Sequence, residues 1–379
     1  MKITYIVFQI DKAFEFEWLI QEINNQKFEL SFISIHHKSD TALRTFCQEN
    51  NIPFYHVDYH SKKDLIRAIF KTRKIIRTIN PLMVHCHIFE GGLIGITAAW
   101  LARIKHRIYT RHYSDYHHVY APSGLKFDKW INKRSTHIIA VSGIVKTILE
   151  QKERVPASKL STIPHGINNL HQYSGILEER VNHVKAKYLI PNNRKIIGVI
   201  SRYTNLKGIQ HILPAIKQLM EKHSNLHLVL ANAGGDMQEE IHKLLQTLPK
   251  NCYTEITFEK DNEALFHCFN YFVHVPISRE AEAFGLIYLE AMRYGIPSVF
   301  TLSGIANELV EDEKNALVVP YENPITIQEA LERLMNHPEL CQQLVQNAKE
   351  KVKGMTSLEK TKKLEALYLQ LASNKKISL

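Results

Sequence analysis

The stretch Glu282-Ala-Phe-Gly-Leu-Ile-Tyr-Leu-Glu290-Ala-Met-Arg-Tyr-Gly295-Ile-Pro297 decides how this 379-residue chain is read. The apolar run Tyr271–Val275 ahead of it has the composition of a strand and is closed by Pro276. A polar loop follows, then a helix expected to open near Phe284-Gly285 and to end at Gly295, with Pro297 just beyond. Glu282 then lies at the mouth of the helix and Glu290 about two turns inside it. At a rise of roughly 1.5 Å per residue the two carboxylates stand about 12 Å apart. The N–H groups of Phe284, Gly285 and Leu286, free of intrahelical partners, form a helix start of the kind that binds phosphate.

Outward from this stretch, β-rich runs alternate with helical runs, the pattern of parallel sheets with crossover helices. Strands are expected at residues 3–8, 30–35, 53–57, 83–87, 107–111, 137–141 and 161–163, and again at 195–200, 226–231, 255–258, 271–275, 298–301 and 316–319. Between the two series the alternation lapses into a polar segment punctuated by Pro191-Asn-Asn193. The expected organisation is a first domain over 1–170, a linker over 171–194, a second domain over 195–355 and a terminal helix over 356–379. The fold class is α/β: two doubly wound Rossmann-like domains facing a cleft, with ligand at the carboxyl ends of the strands.

The segment Ser201-Arg202-Tyr-Thr-Asn-Leu-Lys207-Gly208 follows the first strand of the second series and precedes a helix, where a phosphate-handling loop belongs. Arg202 can grip a diphosphate with two parallel hydrogen bonds, and Lys207 adds a point charge.

With its Glu-Ala-Met and Gly-Ile-Pro continuations, the Glu282–Pro297 stretch resembles the donor-binding motif of glycosyltransferase family 4, a retaining family with the GT-B fold. The resemblance covers most of the chain and is strongest over about residues 195–320. It implies that Glu282 holds hydroxyls of the transferred sugar and that Glu290 holds the nucleotide ribose. Their expected separation suits the reach of a sugar nucleotide. The Arg202 to Lys207-Gly208 spacing is similar to the family's diphosphate clamp, although the family usually has glycine where Ser201 stands. A His at the end of a first-domain strand, the position of His112, lies near the transferred sugar in the family, and a final helix commonly crosses back onto the first domain. One departure is plain: Gln9–Phe16, after the first strand, has no glycine where the family has a glycine-rich loop.

Composition narrows the classes. The content is 45% hydrophobic and 23% charged, as in a soluble globular protein. The longest apolar run, Gly91–Ala102, is well short of the roughly 20 residues of a membrane span. The five cysteines lack paired spacing, which points to buried thiols in a reducing compartment such as the cytoplasm. His85, Cys86 and His87 alternate along one strand and cannot converge on zinc, and no Asp-x-Asp is present, so neither metal nor cofactor is expected. The net charge of +10 lies wholly in the first half, where residues 1–165 carry 24 Lys and Arg against 14 Asp and Glu. Lys63, Arg67, Lys71 and Lys74 recur at helical spacing within it. Two readings stay open for this stripe: a solvated face, or a surface that meets anionic lipid or an acidic acceptor at the cytoplasmic face of a membrane. No nucleic-acid-binding pattern accompanies it.

Taken together, the resemblance implies metal-independent, retaining transfer from a UDP- or GDP-linked sugar to a glycan or lipid-linked acceptor, in polysaccharide or glycolipid synthesis. Arg202, Lys207, Glu282 and His112 would carry the chemistry, while Phe284, Gly285, Leu286 and Glu290 would hold the nucleotide. The alternative is a non-catalytic sugar-nucleotide or glycan-binding protein of the same fold. A hydride-transferring dinucleotide enzyme lacks its Gly-x-Gly-x-x-Gly.

Overall fold

The computed structural model describes residues 1–168 and 176–373. The chain divides into two compact units, residues 1–169 with 355–379, and residues 170–354.

The first unit carries a seven-stranded parallel sheet: β1 Lys2–Phe8, β2 Glu29–His36, β3 Phe54–Asp58, β4 Met83–His87, β5 His106–Arg111, β6 His137–Ala140 and β7 Leu160–Thr162. Their order is β3-β2-β1-β4-β5-β6-β7. The inner strands β1, β2 and β4 are buried along nearly their whole length, as a sheet covered by helices on both sides requires, while the edge strand β3 is only partly buried. The second unit repeats the plan with β8 Lys195–Ile200, β9 Leu226–Ala231, β10 Tyr253–Ile256, β11 Tyr271–His274, β12 Ser298–Phe300 and β13 Leu317–Val318. The order here is β10-β9-β8-β11-β12-β13. Both sheets therefore reverse direction beside their first strand, at β1/β4 and at β8/β11. A crevice opens at such a point because the crossovers on either side lead to opposite faces.

The expected doubly wound α/β class and the returning C-terminal helix are both present. The helix Ser357–Ala372 packs on the helix Phe14–Glu22 of the first unit. Tyr368, fully buried, bonds the Tyr5 hydroxyl from β1 and lies 2.7 Å from Nδ1 of His85 on β4. Glu22 accepts from Ser357 and, at 3.0 Å, from Thr361. The crossing of the chain at Gly166 and Thr356 needs a glycine, because a Cβ there would run into the Thr356 carbonyl.

Several expectations are corrected. The strand expected at 255–258 runs from Tyr253 to Ile256, and Phe258 is 70% exposed: its aromatic ring invited a longer strand than the pairing of Tyr253–Ile256 with Leu228–Ala231 allows. The helix Leu125–Arg134, between β5 and β6, was not anticipated, because Asp128 and Asn132 stand at buried positions of its face and break the apolar period. The helix Gly143–Thr147 runs into a π-turn at Ile148–Lys152, which carries the chain to Glu153. Of the segment expected as a linker, residues 171–175 lie outside the described residues. The remainder forms the helix Leu177–Lys187, on which Arg180 grips Asp261 (2.7 Å) and Glu263 (2.8 Å) of the second unit. Residues 374–379 of the expected terminal helix likewise lie outside the described residues.

Candidate active site

At the carboxyl ends of β8, β9 and β11 a pocket of about 280 Å³ is lined by Ser201, Arg202, Lys207, Asn232, Asn262, His274, Glu282, Gly285, Leu286, Ile287 and Glu290, among others. Four segments separated in sequence meet there, at the switch point of the second sheet. Of the residues singled out in that unit, Arg202, Lys207, Glu282, Gly285, Leu286 and Glu290 all face this pocket.

The loop after β8 is held by specific ties. Tyr203 is buried and its hydroxyl donates to Glu255 at 2.7 Å, while its N–H bonds the Gly234 carbonyl at 2.9 Å. Asn205–Lys207 form a single 3-10 turn that ends on Gly208, with φ of +72°. Any side chain at that position would strike the Val275 carbonyl, so glycine lets Lys207 pass close against the end of β11. Arg202 is exposed on the pocket rim and makes no ion pair among the described residues.

Glu282 is buried, and one oxygen of its carboxylate has two partners. Lys207 forms an ion pair with it, and Nε2 of His274 lies 3.1 Å from the same oxygen. The Glu282 N–H donates to Ser303 Oγ at 2.9 Å. Burial pushes this carboxyl up, but the hydrogen bond from His274 and the charge of Lys207 outweigh it and hold the group at about 2. Burial also lowers the affinity of His274 for a proton, so its neutral ring donates from Nε2 and leaves Nδ1 without a partner among the described residues. A Lys–Glu–His cluster of this kind keeps one anionic and one cationic group aimed at the same small volume.

The helix opens within two residues of the expected Phe284-Gly285. Gly285 is the N-cap, with φ of +83°, and the helix runs Leu286–Tyr294. Glu282 therefore stands just outside the helix, at its mouth, and only the later part of the interval to Glu290 has helical rise. Phe284 is pulled inward: it is 5% exposed, its carbonyl accepts from Ile305 N–H at 2.8 Å, and it does not line the pocket. Gly285, Leu286 and Ile287 form the lip instead. A Cβ on Gly285 would meet the Tyr288 ring at 2.8 Å, and that buried ring is anchored by its hydroxyl to the Thr301 carbonyl at 3.0 Å. Glu290, one turn inside, is pushed up to about 7 by burial, offset in part by a hydrogen bond with Asn262.

His112 belongs to the first unit. Its Nε2 is 3.0 Å from Nδ1 of His87, and its ring stacks on His165 at 5.4 Å. Burial lowers it to about 4, so it is neutral at pH 7. Nearby, His165 lies 3.3 Å from Glu15 and 3.0 Å from Lys360, which itself pairs with Glu15. Reading along the chain assigned no contact to His165 and gave Glu15 and Lys360 no part. They lie 150 and 195 residues away from it, and no local signal could have joined them. His274 and Asn262 were missed for the same reason, although a His at the end of the strand leading into Glu282 was a visible cue.

The basic helix Leu65–Ile79 buries Ala68, Ile69, Thr72 and Ile76, and leaves Ile66 (63%) and Phe70 (55%) exposed among its cations. Two of the four cations of the stripe are paired: Arg67 with Asp64 at 2.7 Å and Lys71 with Asp58 at 3.1 Å. Among the described residues no helix is long and apolar enough to cross a membrane, and no cluster of three or more metal-ligand side chains is present. Four of the five cysteines are buried, and all are free.

Both halves match family models. Residues 19–169 match Glycosyltransferase Family 4, and residues 181–351 match Glycosyl transferases group 1. The fold and these matches place the chain among the GT-B glycosyltransferases, and within them it is of the family 4 type. Alpha-monoglucosyldiacylglycerol synthase of Acholeplasma laidlawii is 25% identical over 336 residues, 82% of each chain. An uncharacterized glycosyltransferase of Methanocaldococcus jannaschii is 27% identical over 219 residues, 58% of this chain and 55% of that one. Among solved structures, HepE of Anabaena in complex with UDP-glucose superposes with a TM-score of 0.82 at 18% identity, over 98% of this chain and all of that one.

Proposed function

We propose that the protein transfers a sugar, with retention of configuration and without a metal ion, from a nucleotide-diphosphate sugar to a glycan or lipid-linked acceptor. The observation that carries this reading is the single pocket into which Arg202, Lys207, Glu282 and Glu290 converge beside a helix start. Arg202 and Lys207 would offset the charge that develops on the departing diphosphate, and the helix start would add its dipole. Glu282 would hold sugar hydroxyls and Glu290 the ribose. Neutral His112 suits a hydrogen bond to a sugar hydroxyl from the first unit, where the acceptor would also bind. The UDP-glucose named with HepE supports a uridine donor, and the lipid product named for the Acholeplasma relative supports a lipid-linked acceptor. The exposed Ile66 and Phe70, set among basic residues, support docking of the first unit on an anionic membrane at its cytoplasmic face.

The test is donor hydrolysis against a panel of UDP- and GDP-sugars without acceptor, with the anomer released followed by NMR. Slow release of one sugar as its α-anomer from an α-linked donor is expected. A panel in which nothing binds or turns over would sink the proposal.

A further inference from the structure

Ser201 stands where the resembling family usually has glycine, and its side chain is an anomaly of the pocket. The residue is 5% exposed, its Oγ is enclosed, and among the described residues that hydroxyl has no hydrogen-bond partner. Its backbone is satisfied, because the Ser201 N–H continues the ladder to the Ala231 carbonyl at 2.9 Å. Only the side chain is left over. Buried polar atoms in folded proteins are nearly always paired, since an unpaired one forfeits its bonds to water with nothing in return. Ser201 is one of the residues that line the pocket, between the end of β8 and the loop that carries Arg202 and Lys207. Neither neighbour offers an acceptor, because each is a cation whose nitrogens only donate. The carboxylates of the pocket, Glu282 and Glu290, bond Lys207, His274 and Asn262 instead.

We infer that Ser201 Oγ is a donor-binding group that gives a hydrogen bond to the diphosphate of a nucleoside diphosphate ligand, beside Arg202 and Lys207. This rests on the donor reading above and adds to it a neutral, directional contact at the clamp. A hydroxyl can rotate its single proton onto a phosphate oxygen, and a cation at the same point would add repulsion to the two already there. The unpaired hydroxyl is then a binding feature held at a cost to the unliganded fold.

The inference separates binding from stability in opposite directions. Titration of the full chain with UDP, GDP and UMP, read by calorimetry and by melting temperature, is compared between the parent and Ser201→Ala. The variant should bind the diphosphate that the parent prefers at least fivefold more weakly, bind UMP as the parent does, and melt at the same temperature or higher when unliganded. Ser201→Gly, which also lacks the hydroxyl, should show the same loss for the diphosphate. Equal diphosphate affinity in parent and Ala variant would overturn the inference while leaving the donor reading intact. A variant that melts lower when unliganded would overturn it too, by giving the hydroxyl a role in the fold. A parent that binds neither UDP nor GDP would remove both readings.

Discussion

Lys207 and Glu282 are joined in an ion pair across 75 residues of sequence, inside the pocket that both were expected to line with separate duties. The ammonium assigned to the diphosphate and the carboxylate assigned to the sugar are each other's partner in the unliganded chain. Donor binding then has to insert into, or extend, an existing charge pair. Because the carboxylate is buried, removing its partner strands a charge rather than freeing one.

Arg202 and Lys207 should therefore fail differently. Arg202→Ala, on an exposed residue with no ion pair among the described residues, should lower turnover roughly tenfold or more with the melting temperature unchanged. Lys207→Ala should lower turnover at least as much and should also lower the melting temperature, because Glu282 loses its counter-charge. The double variant should be worse than either and less than additive. Near-normal kcat/KM in both single variants, with folding intact, would remove the clamp.

Glu290 makes donor binding pH-dependent. Burial pushes its carboxyl up to about 7, so it becomes a charged, acceptor-only partner for ribose hydroxyls only as pH rises through neutrality. KM for the donor should fall between pH 6 and pH 8, and Glu290→Gln should flatten that dependence. Stability runs the other way. A carboxyl with a raised folded pKa favours the fold below its unfolded value near 4.3, and that contribution is lost as pH climbs towards 7. The unliganded parent should therefore lose melting temperature relative to the Gln variant over that interval. A parent and variant with parallel profiles in both assays would exclude the assignment.

Acid should unfold the first unit through its buried histidines. His85 and His165 are held at about 3, and His112 and His137 at about 4, in each case chiefly by burial. Their unfolded counterparts take up protons near 6.5, so stability is lost as pH falls from about 6.5 towards 4. Each group that protonates only on unfolding contributes about 1.4 kcal/mol per pH unit in that window. Denaturation midpoints that stay level from pH 7 to pH 4.5 would contradict this.

The proposed metal independence is checked directly. Activity should survive excess EDTA and change only modestly with magnesium or manganese. Loss with chelator and recovery with either ion would refute it.

Membrane docking by the basic helix calls for both charge and apolar contact. Neutralising Lys63, Arg67, Lys71 and Lys74 should weaken binding to anionic vesicles at low salt while sparing donor hydrolysis. Phe70→Ser should weaken it further at every ionic strength. The charge effect should fade as the Debye length falls from about 10 Å at 0.1 M to about 3 Å at 1 M salt. Parent-like vesicle binding by the quadruple variant at low salt would leave the helix a solvated face.

Much was legible in the linear chain because its signals are local. A buried parallel strand shows as a short apolar run, and a helix end as Gly295 before Pro297, so β4, β8 and β9 were expected within the residues they occupy. The residue types of the pocket were equally visible, since Arg202 and Lys207 on one segment, and Glu282 and Glu290 on another, sit at family spacing. What the linear pattern could not contain was decided by contacts between distant segments. Gly285 turns left-handed over the Tyr288 ring, which starts the helix late and withdraws Phe284 from the pocket. His274 and Lys207 converge on one carboxylate oxygen of Glu282, and Glu15, His165 and Lys360 meet across most of the chain. Ser201 showed in the sequence only as a departure from the family's usual glycine. Only the packing of β8 against its neighbours buried its hydroxyl without a partner, because burial and hydrogen-bond satisfaction are properties of the folded surroundings and not of the residue.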